Sequence, residues 1–277
     1  MHIDFLRTCT HDPFTITITD LKVGRGTSTI QLYLTQPNSK STPSQPKLAA
    51  TATSINFDAS HGPNAPTDWM FQPQLRPAPD WTKISKNQPD NNWLPAFVDG
   101  ELMPYTHRMM QLSPRGGSPI AGLCDMWNSF GSERIDSTHL TVLTDLIPSI
   151  SDTLLQTGGV FDAHAIGKAA ETWANTNPGV PCRLSNSLMQ AAKVGIWNST
   201  LTLDIEFKER LPEQGLEWAF SRVVTRELRD GRMDAEVTIC DQRLRPICVA
   251  RHIVLVLDAR RTSDKQKQKE QRGGSML

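Results

Sequence analysis

The segment from residue 198 to residue 261 constrains the fold of this 277-residue chain more than any other part of the sequence. Apolar and polar side chains alternate from Leu201 to Lys208, which is the period of a strand with one buried face. A second strand begins near Glu217, and a third runs from Met233 to Cys240. The stretch from Ile247 to Leu257 is almost entirely apolar, which indicates a strand covered on both faces. The segment therefore predicts an antiparallel meander of long strands.

Turn signals separate these strands, and a second group of strands precedes them. Asp230-Gly231 and the stretch from Asp241 to Pro246 are typical of tight turns. Nearer the N-terminus, β-branched residues alternate with polar ones. This alternation predicts strands over residues 15–19, 29–34 and 48–57.

Two helices are predicted between the two groups of strands. Asp136 or Ser137 is suited to cap a helix that continues with apolar residues at helical spacing, and Pro148 shortens, kinks or ends it. Residues 161–175 predict a second helix with one apolar face. Residues 183–194 predict a short helix or a loop.

Three other segments lack a clear period. Residues 35–47 are rich in proline and serine and predict a flexible hairpin loop. Residues 59–119 predict an ordered but irregular connection with one strand near residues 106–112. Residues 262–277 are polar and net basic, which predicts a disordered tail.

Composition and missing motifs exclude several functions. Lysine plus arginine equal aspartate plus glutamate, 29 each, so no global charge favours nucleic acid or an anionic membrane. Five separated cysteines without a C-x-x-C pair indicate a reduced intracellular protein rather than a zinc site. We expect no signal peptide, because charged residues rather than an apolar run follow Met1, and no apolar stretch is long enough to span a membrane. The sequence contains no P-loop, no G-x-S-x-G and no H-E-x-x-H. A cytoplasmic location is expected, because the final Ser275-Met276-Leu277 matches a peroxisomal signal poorly.

Four sequence blocks resemble one known family. The blocks are L-T-L-D-I-E-F-K, E-W-A-F-S-R, D-G-R-M-D-A-E-V-T-I and P-I-C-V-A-R-H-I-V-L-V-L-D-A-R-R. They resemble the C-terminal half of thioesterase-like proteins of the acyl-CoA thioesterase II type, and those of the fungal branch most closely. F-L-R, P-F-T-I and L-K-V-G-R near the N-terminus resemble strands of the first half. The resemblance implies an α+β double hotdog, in which two antiparallel sheets each wrap a helix.

The resemblance also implies a domain division. Residues 1–120 would form the first hotdog with the long connection, and residues 121–261 the second. Family members have a helix before the first of these strands, so the first hotdog is expected to lack its helix. An uncovered apolar sheet needs a partner, so either a homodimer or an intramolecular substitute for the helix is expected.

The same resemblance implies the catalytic residues. Hydrolysis of an acyl thioester needs a positioned water and donors for the developing oxyanion. In the family an Asp, a Ser or Thr, and a Gln on three strands hold the water. The Asp matches Asp204, and the Ser or Thr falls near Thr225, with Ser221 as an alternative. The Gln falls at His252 or Ile253, so it is absent here.

The remaining candidate site residues are Asp145, Trp218 and Ser221, which we expect to bind substrate. No metal and no organic cofactor are implied. Structural interpretations stay open beside these roles: Asp204 fits a solvated strand face, and His252 fits an ordinary hydrogen bond at a strand end. Asp145 fits a helix surface equally well.

Three functions follow from these observations. The first is hydrolysis of acyl-CoA or of a carrier-bound acyl chain, with water positioned by Asp204. The second is a non-hydrolytic dehydratase, cyclase or isomerase of a fungal natural-product pathway, acting on a hydrophobic polyketide or terpenoid. The missing Gln favours this function, and the fold alone does not determine which reaction is catalysed. The third is a non-catalytic binding protein or truncated pseudoenzyme.

Overall fold

The computed structural model describes residues 1–37, 44–59, 62–65, 67–101, 104–146, 150–156 and 162–258. The strands in this part of the chain are β1 (His2–Phe5), β2 (Thr15–Lys22), β3 (Thr27–Pro37), β4 (Ser44–Ile55), β5 (Trp93–Gly100), β6 (Met110–Pro114), β7 (Leu123–Ser129), β8 (Cys182–Asn186), β9 (Ile196–Phe207), β10 (Ala219–Val224), β11 (Leu228–Arg229), β12 (Arg232–Cys240) and β13 (Pro246–Asp258). The helices are α1 (Trp81–Ser85), α2 (Ser137–Asp145), α3 (Ile150–Leu155), α4 (Ala163–Thr176) and α5 (Leu188–Lys193).

The described strands join in one sheet of thirteen. Its order is β2-β3-β4-β1-β9-β13-β12-β10-β7-β6-β5-β8, with β11 beside β12. Every pairing is antiparallel except that of β5 with β8. The N-terminal strands form one end of the sheet, and β1 joins them to the rest by pairing with β9, where Ile3 lies opposite Leu203.

One face of the sheet packs against α2. Leu203 and Ile205 of β9 point to this face, which we call the core face, and Leu140 and Leu143 of the helix belong to the same apolar cluster. The helix begins after Asp136, whose carboxylate accepts a hydrogen bond from the His139 amide at 2.9 Å. Such capping satisfies a helix-end amide, so the predicted start of the helix is confirmed. The helix ends at Asp145, ahead of Pro148, which lies outside the described residues.

The opposite face, which we call the outer face, is covered over β7 and β10 by the connection that precedes β5. Trp93, Trp127 and Phe220 form an aromatic cluster there, and Phe71 and Trp81 of the connection pack on it. Both faces of β7 and β10 are therefore buried, which explains why neither strand shows a clean alternation of apolar and polar residues.

Several predicted elements are confirmed. The four strands of the meander, the three N-terminal strands and the helix over residues 161–175 are present, the last as α4. Asp230 and Gly231 have φ angles of 50° and 74°, as a tight hairpin turn requires. Among the described residues, no helix is both long and apolar enough to cross a bilayer.

Other predictions need correction. Residues 59–119 are more regular than predicted, since they contain α1 and β5 besides β6, which is the strand expected near residues 106–112. The loop over residues 35–47 is shorter than predicted, because β3 extends to Pro37 and β4 begins at Ser44. The last strand is buried on both faces only in its first half. Beyond it Arg251 is exposed and Ile253 is 44% exposed, because none of the described residues covers this part of the outer face. Residues 183–194 form the end of β8 and then α5.

The N-terminal end of the sheet is sparsely covered. All eight residues of β2 are exposed, including Ile16 and Ile18, which lie opposite Leu34 and Leu32 of β3. The only helix described within residues 1–59 is the 3-10 turn Phe57–Ala59. Strands β5 and β6 pair toward β7 rather than toward β1–β4, so hydrogen bonding does not separate the chain at residue 120, and the domain boundary stays a prediction. The predicted tail lies outside the described residues.

Candidate functional site

An open groove with a volume of about 1050 Å³ lies on the outer face, where β1 meets β9. Strands β1, β4, β9, β12 and β13 form its floor, and residues of the connection after β4 form part of its wall. The lining residues are Met1, His2, Thr51, Thr53, Thr67, Trp69, Asp204, Ile205, Glu206, Lys208, Glu236, Thr238, Pro246, Val249 and Arg251. The groove combines charged side chains with one large exposed aromatic ring.

The alternation of β9 places Asp204 in this groove. Leu203 and Ile205 on either side of it are 3% exposed and point into the core, so Asp204 points outward. Paired residues of neighbouring antiparallel strands share a face, and Asp204 is paired with His2 on one side and with Arg251 on the other. The pairing of β9 with β13 is irregular just before this point, and such irregularities often re-aim side chains near functional sites.

A hydrogen bond joins Asp204 to His2. The imidazole Nδ1 of His2 donates to Oδ1 of Asp204 at 2.7 Å, and its Nε2 lies 3.4 Å from Oδ1 of Asp4. This hydrogen bond is the main reason why the pKa of His2 is raised, and the charges of the two carboxylates add to it. The side chains of His2 and Asp204 are 47% and 57% exposed, so solvent reaches the pair.

The other charged residues of the groove are also arranged in pairs. Nζ of Lys208, just after the end of β9, lies 2.6 Å from a carboxylate oxygen of Glu206, and Nε of Arg251 lies 3.5 Å from a carboxylate oxygen of Glu236. The groove therefore has cations and anions in similar number, and an anionic ligand would compete with carboxylates that are already present.

His252 points to the opposite face from Asp204. Its side chain is 1% exposed, and Nε2 donates to the backbone carbonyl of Thr144 at 2.9 Å, at the end of α2. Nδ1 lies 3.7 Å from Asp145. Burial lowers the pKa of His252 and raises that of Asp145. Burial, with the nearby charge of Asp145, also raises the pKa of Tyr105 to about 12. The structure thus brings Asp145 and His252 together but separates both from Asp204.

The three remaining candidates are buried away from the groove. The Thr225 amide donates to the carbonyl of Gly122 at 2.8 Å, and its hydroxyl has no hydrogen-bond partner among the described residues. The Ser221 hydroxyl accepts a hydrogen bond from Asn128 at 3.2 Å. Trp218 packs in the outer aromatic cluster, with its ring 5.5 Å from that of Trp81. None of the three lines the groove, so their roles stay predictions.

Sequence reasoning did not identify His2, Arg251 or Trp69 as site residues. His2 and Asp204 are 202 positions apart, and no local pattern shows that their strands pair. Arg251 lies in a strand that the sequence predicts to be covered on both faces, which hides its exposure. Among the described residues, no group of three or more His, Cys, Asp or Glu side chains is arranged to hold a metal ion.

Comparison with known proteins identifies the family. The model of the acyl-CoA thioesterase C-terminal domain matches residues 73–256, and that of the N-terminal domain matches residues 1–55. The thioesterase-like protein TwmA of Talaromyces wortmannii is 24% identical over 285 aligned positions, which cover 96% of this chain and 78% of TwmA.

Solved structures show the same fold. A conserved protein of unknown function with a hotdog fold from Alicyclobacillus acidocaldarius has a TM-score of 0.58 at 15% identity, over 92% of this chain and 77% of that protein. The acyl-CoA thioesterase II TesB2 of Mycobacterium marinum has a TM-score of 0.55 at 13% identity, over 93% and 79%. The α+β double-hotdog fold implied by the sequence resemblance is therefore confirmed, and the chain belongs to the acyl-CoA thioesterase family.

Proposed function

We propose that this protein hydrolyses acyl thioesters and that Asp204 holds the attacking water. The observation that carries the proposal is the solvent-accessible Asp204 carboxylate in the groove, hydrogen-bonded to His2 at 2.7 Å, in a chain of the acyl-CoA thioesterase family. A carboxylate with one oxygen fixed by an imidazole presents its second oxygen in a defined direction. That arrangement suits a group that orients and deprotonates water.

The chemistry needs few groups. A water bound to the second oxygen of Asp204 attacks the thioester carbonyl carbon, and the carboxylate accepts the water's proton. A C–O bond forms, and the carbonyl oxygen becomes negative in the tetrahedral intermediate. When the intermediate collapses, the C–S bond breaks, and the thiolate takes the proton to give a thiol and a carboxylic acid. His2, when protonated, and Arg251 are the cross-strand neighbours of Asp204 and can stabilise the negative charge that develops on the carbonyl oxygen.

The substrate is an acyl group on coenzyme A or on a carrier protein. Ligand pockets usually have volumes of about 300–1,000 Å³. A groove of about 1050 Å³ is large enough for an acyl chain together with part of its pantetheine arm. Lys208 lines the groove directly after the end of β9 and can interact with a phosphate of either carrier.

The proposal is tested by thiol release from a panel of acyl-CoA esters of different chain length. The wild type is expected to release thiol from at least one ester, and Asp204→Asn to release it at least about 100-fold more slowly. Glu213→Gln is the matched control, since it also converts an acid to its amide but at an exposed position outside the groove. No release from any ester by a folded wild-type protein would refute the proposal.

A second candidate function rests on His252 and Asp145. Burial lowers the pKa of His252 and raises the pKa of Asp145, 3.7 Å away, and proton-transfer enzymes use pairs of titratable groups whose pKa values are shifted by their surroundings. This favours a dehydratase, cyclase or isomerase acting on a polyketide or terpenoid. The 1% exposure of the His252 side chain weighs against it, because a substrate reaches the imidazole only if α2 moves. Conversion of such a substrate by Asp204→Asn but not by His252→Gln would select this function.

We also propose that the protein forms a homodimer through β2, at the edge of the described sheet. Residues 13–19 carry no charge. Antiparallel pairing of two copies about Thr17 places Ile16 opposite Ile18 and Thr15 opposite Thr19, so apolar side chains meet on one face and hydroxyls on the other. Sedimentation should give a dimer for the wild type and a monomer for Ile18→Lys, since a charge on an edge strand opposes such pairing. A monomeric wild type would refute the dimer.

A further inference from the structure

Residues 67–77, which we call the strap, run over the outer face beside the groove. A buried ion pair holds the strap in place. Arg222 of β10 forms two hydrogen bonds of 2.7 Å to Asp125 of β7, and these side chains are 3% and 6% exposed. The same guanidinium donates to the carbonyl of Pro73 at 2.5 Å and lies 5.0 Å from the centre of the Phe71 ring. The ion pair holds the Arg222 guanidinium in place, and its hydrogen bond to Pro73 and its contact with the Phe71 ring hold the middle of the strap on the sheet.

The fixed part of the strap supports an exposed tryptophan. Phe71 contacts Phe220 of the sheet, with ring centres 6.1 Å apart, and contacts Trp69 edge to face at 4.7 Å. Trp69 is 57% exposed and lines the groove that contains Asp204. An aromatic ring held on one side by a second ring and open on the other offers a rigid apolar surface to a ligand.

Trp69 is the largest apolar side chain among the residues that line the groove. Ile205 is 3% exposed and belongs to the core. Val249 lies on the floor between Glu206 and Thr238 of the adjacent strands, so its surroundings are polar. The acyl group is the apolar part of a thioester substrate, and it extends from the carbonyl that Asp204 attacks. Burial of that group against the indole removes apolar surface of both from water, whereas burial against the charged pairs would desolvate them at a cost.

We infer that Trp69 binds the acyl group of the substrate and determines which acyl-chain length the protein prefers, with Arg222 and Asp125 as positioning residues. The inference rests on the proposed function for the identity of the ligand. It assigns selectivity to the strap and hydrolysis to Asp204, so the two roles are separable by experiment.

The test measures calorimetric binding of two non-hydrolysable thioether analogues of acyl-CoA, one acetyl and one octanoyl. Trp69→Ala should weaken binding of the octanoyl analogue about tenfold or more and leave the acetyl analogue within about twofold, because only the longer chain reaches the indole. Trp197→Ala is the matched control, since Trp197 is 60% exposed and does not line the groove. Equal weakening of both analogues, no weakening, or failure of the wild type to bind either one would overturn the inference.

Thiol release measured on the same proteins separates this inference from the proposed function. If the wild type releases no thiol but Trp69→Ala selectively weakens octanoyl binding, the hydrolase proposal fails and the acyl-binding role of Trp69 stands. If the wild type releases thiol and Trp69→Ala keeps its chain-length preference, the hydrolase proposal stands and the acyl-binding role of Trp69 fails. In a hydrolase, Trp69→Ala should raise KM for the octanoyl ester and leave its kcat nearly unchanged.

Discussion

Neutralising Asp125 should destabilise the protein far more than neutralising an exposed carboxylate. Asp125→Asn keeps the shape of the side chain but leaves the Arg222 guanidinium buried, with Pro73 and Phe71 as its remaining contacts. Removing one partner of a buried ion pair costs about 3–5 kcal/mol, because the other charge stays in a medium that solvates it poorly. One kcal/mol corresponds to about 2–4 °C in chains of this size class, so the melting temperature should fall by roughly 6–20 °C.

The assay is thermal and denaturant unfolding of Asp125→Asn beside Asp58→Asn. Asp58 lies 3.0 Å from Arg210, and both side chains are largely exposed, so its loss should cost about 1 kcal/mol or less. A double variant with Leu at positions 125 and 222 should recover part of the lost stability, since it removes both buried charges. A cost below about 1 kcal/mol for Asp125→Asn would refute the claim that this pair anchors the strap.

Three further predictions concern other parts of the chain. Because the pKa of His2 is raised, its pairing with Asp204 stabilises the fold fully below the unfolded pKa near 6.5, and this stabilisation is lost as pH rises through the folded pKa. His2→Asn should therefore reduce the decline in melting temperature between about pH 6 and about pH 8.5. An unchanged pH profile would contradict this. Exposed Cys9 should react with iodoacetamide in the native protein, as mass spectrometry would reveal. Burial raises the pKa values of Cys124, Cys240 and Cys248 to about 12, so these three should react only after unfolding. Gly231→Ala should lower stability by about 1 kcal/mol or more, because Gly231 has a φ of 74° and an added Cβ would lie 2.8 Å from the carbonyl of Val256; unchanged unfolding would disprove this reason.

Local patterns in the sequence were sufficient to predict much of the second half of the fold. Leu203 and Ile205 alternate with polar residues because one face of β9 lies in the apolar core that also contains Leu140 of α2, so the period of the strand is visible. The cap at Asp136 and the turn at Asp230-Gly231 are equally local, since each depends on residues within one turn of chain. Such features need no knowledge of what the segment later packs against.

The connection before β7 could be predicted only in part. The strand expected near residues 106–112 is present as β6, but α1 and β5 were not predicted, because both faces of the sheet beside them are covered and β5 follows no simple alternation. The place of β5 and β6 in the sheet depends on tertiary pairing with β7, and on aromatic packing among Trp93, Trp127 and Phe220. That information lies in contacts between distant segments and has no local signature.

The candidate site was predictable only in part, for the same reason. Asp204 was identified through the family resemblance, but its neighbours His2 and Arg251 come from strands far away in the sequence. The family resemblance placed Asp204, His252 and Thr225 in one site. It did not show which residue of the last strand pairs with Asp204, and that pairing decides which side chains share its face. Arg251 pairs with Asp204, so His252, one position later, faces the core.

The measurement that tests the central claim most directly is the steady-state kinetics of Asp204→Asn against its best acyl-CoA substrate, with Glu213→Gln alongside. If Asp204 holds the attacking water, kcat should fall by about 10²–10⁴-fold while KM stays within a few-fold, because the carboxylate acts on the water and not on the bound ester. A kcat within about twofold of the wild type would contradict the account and remove Asp204 from the reaction.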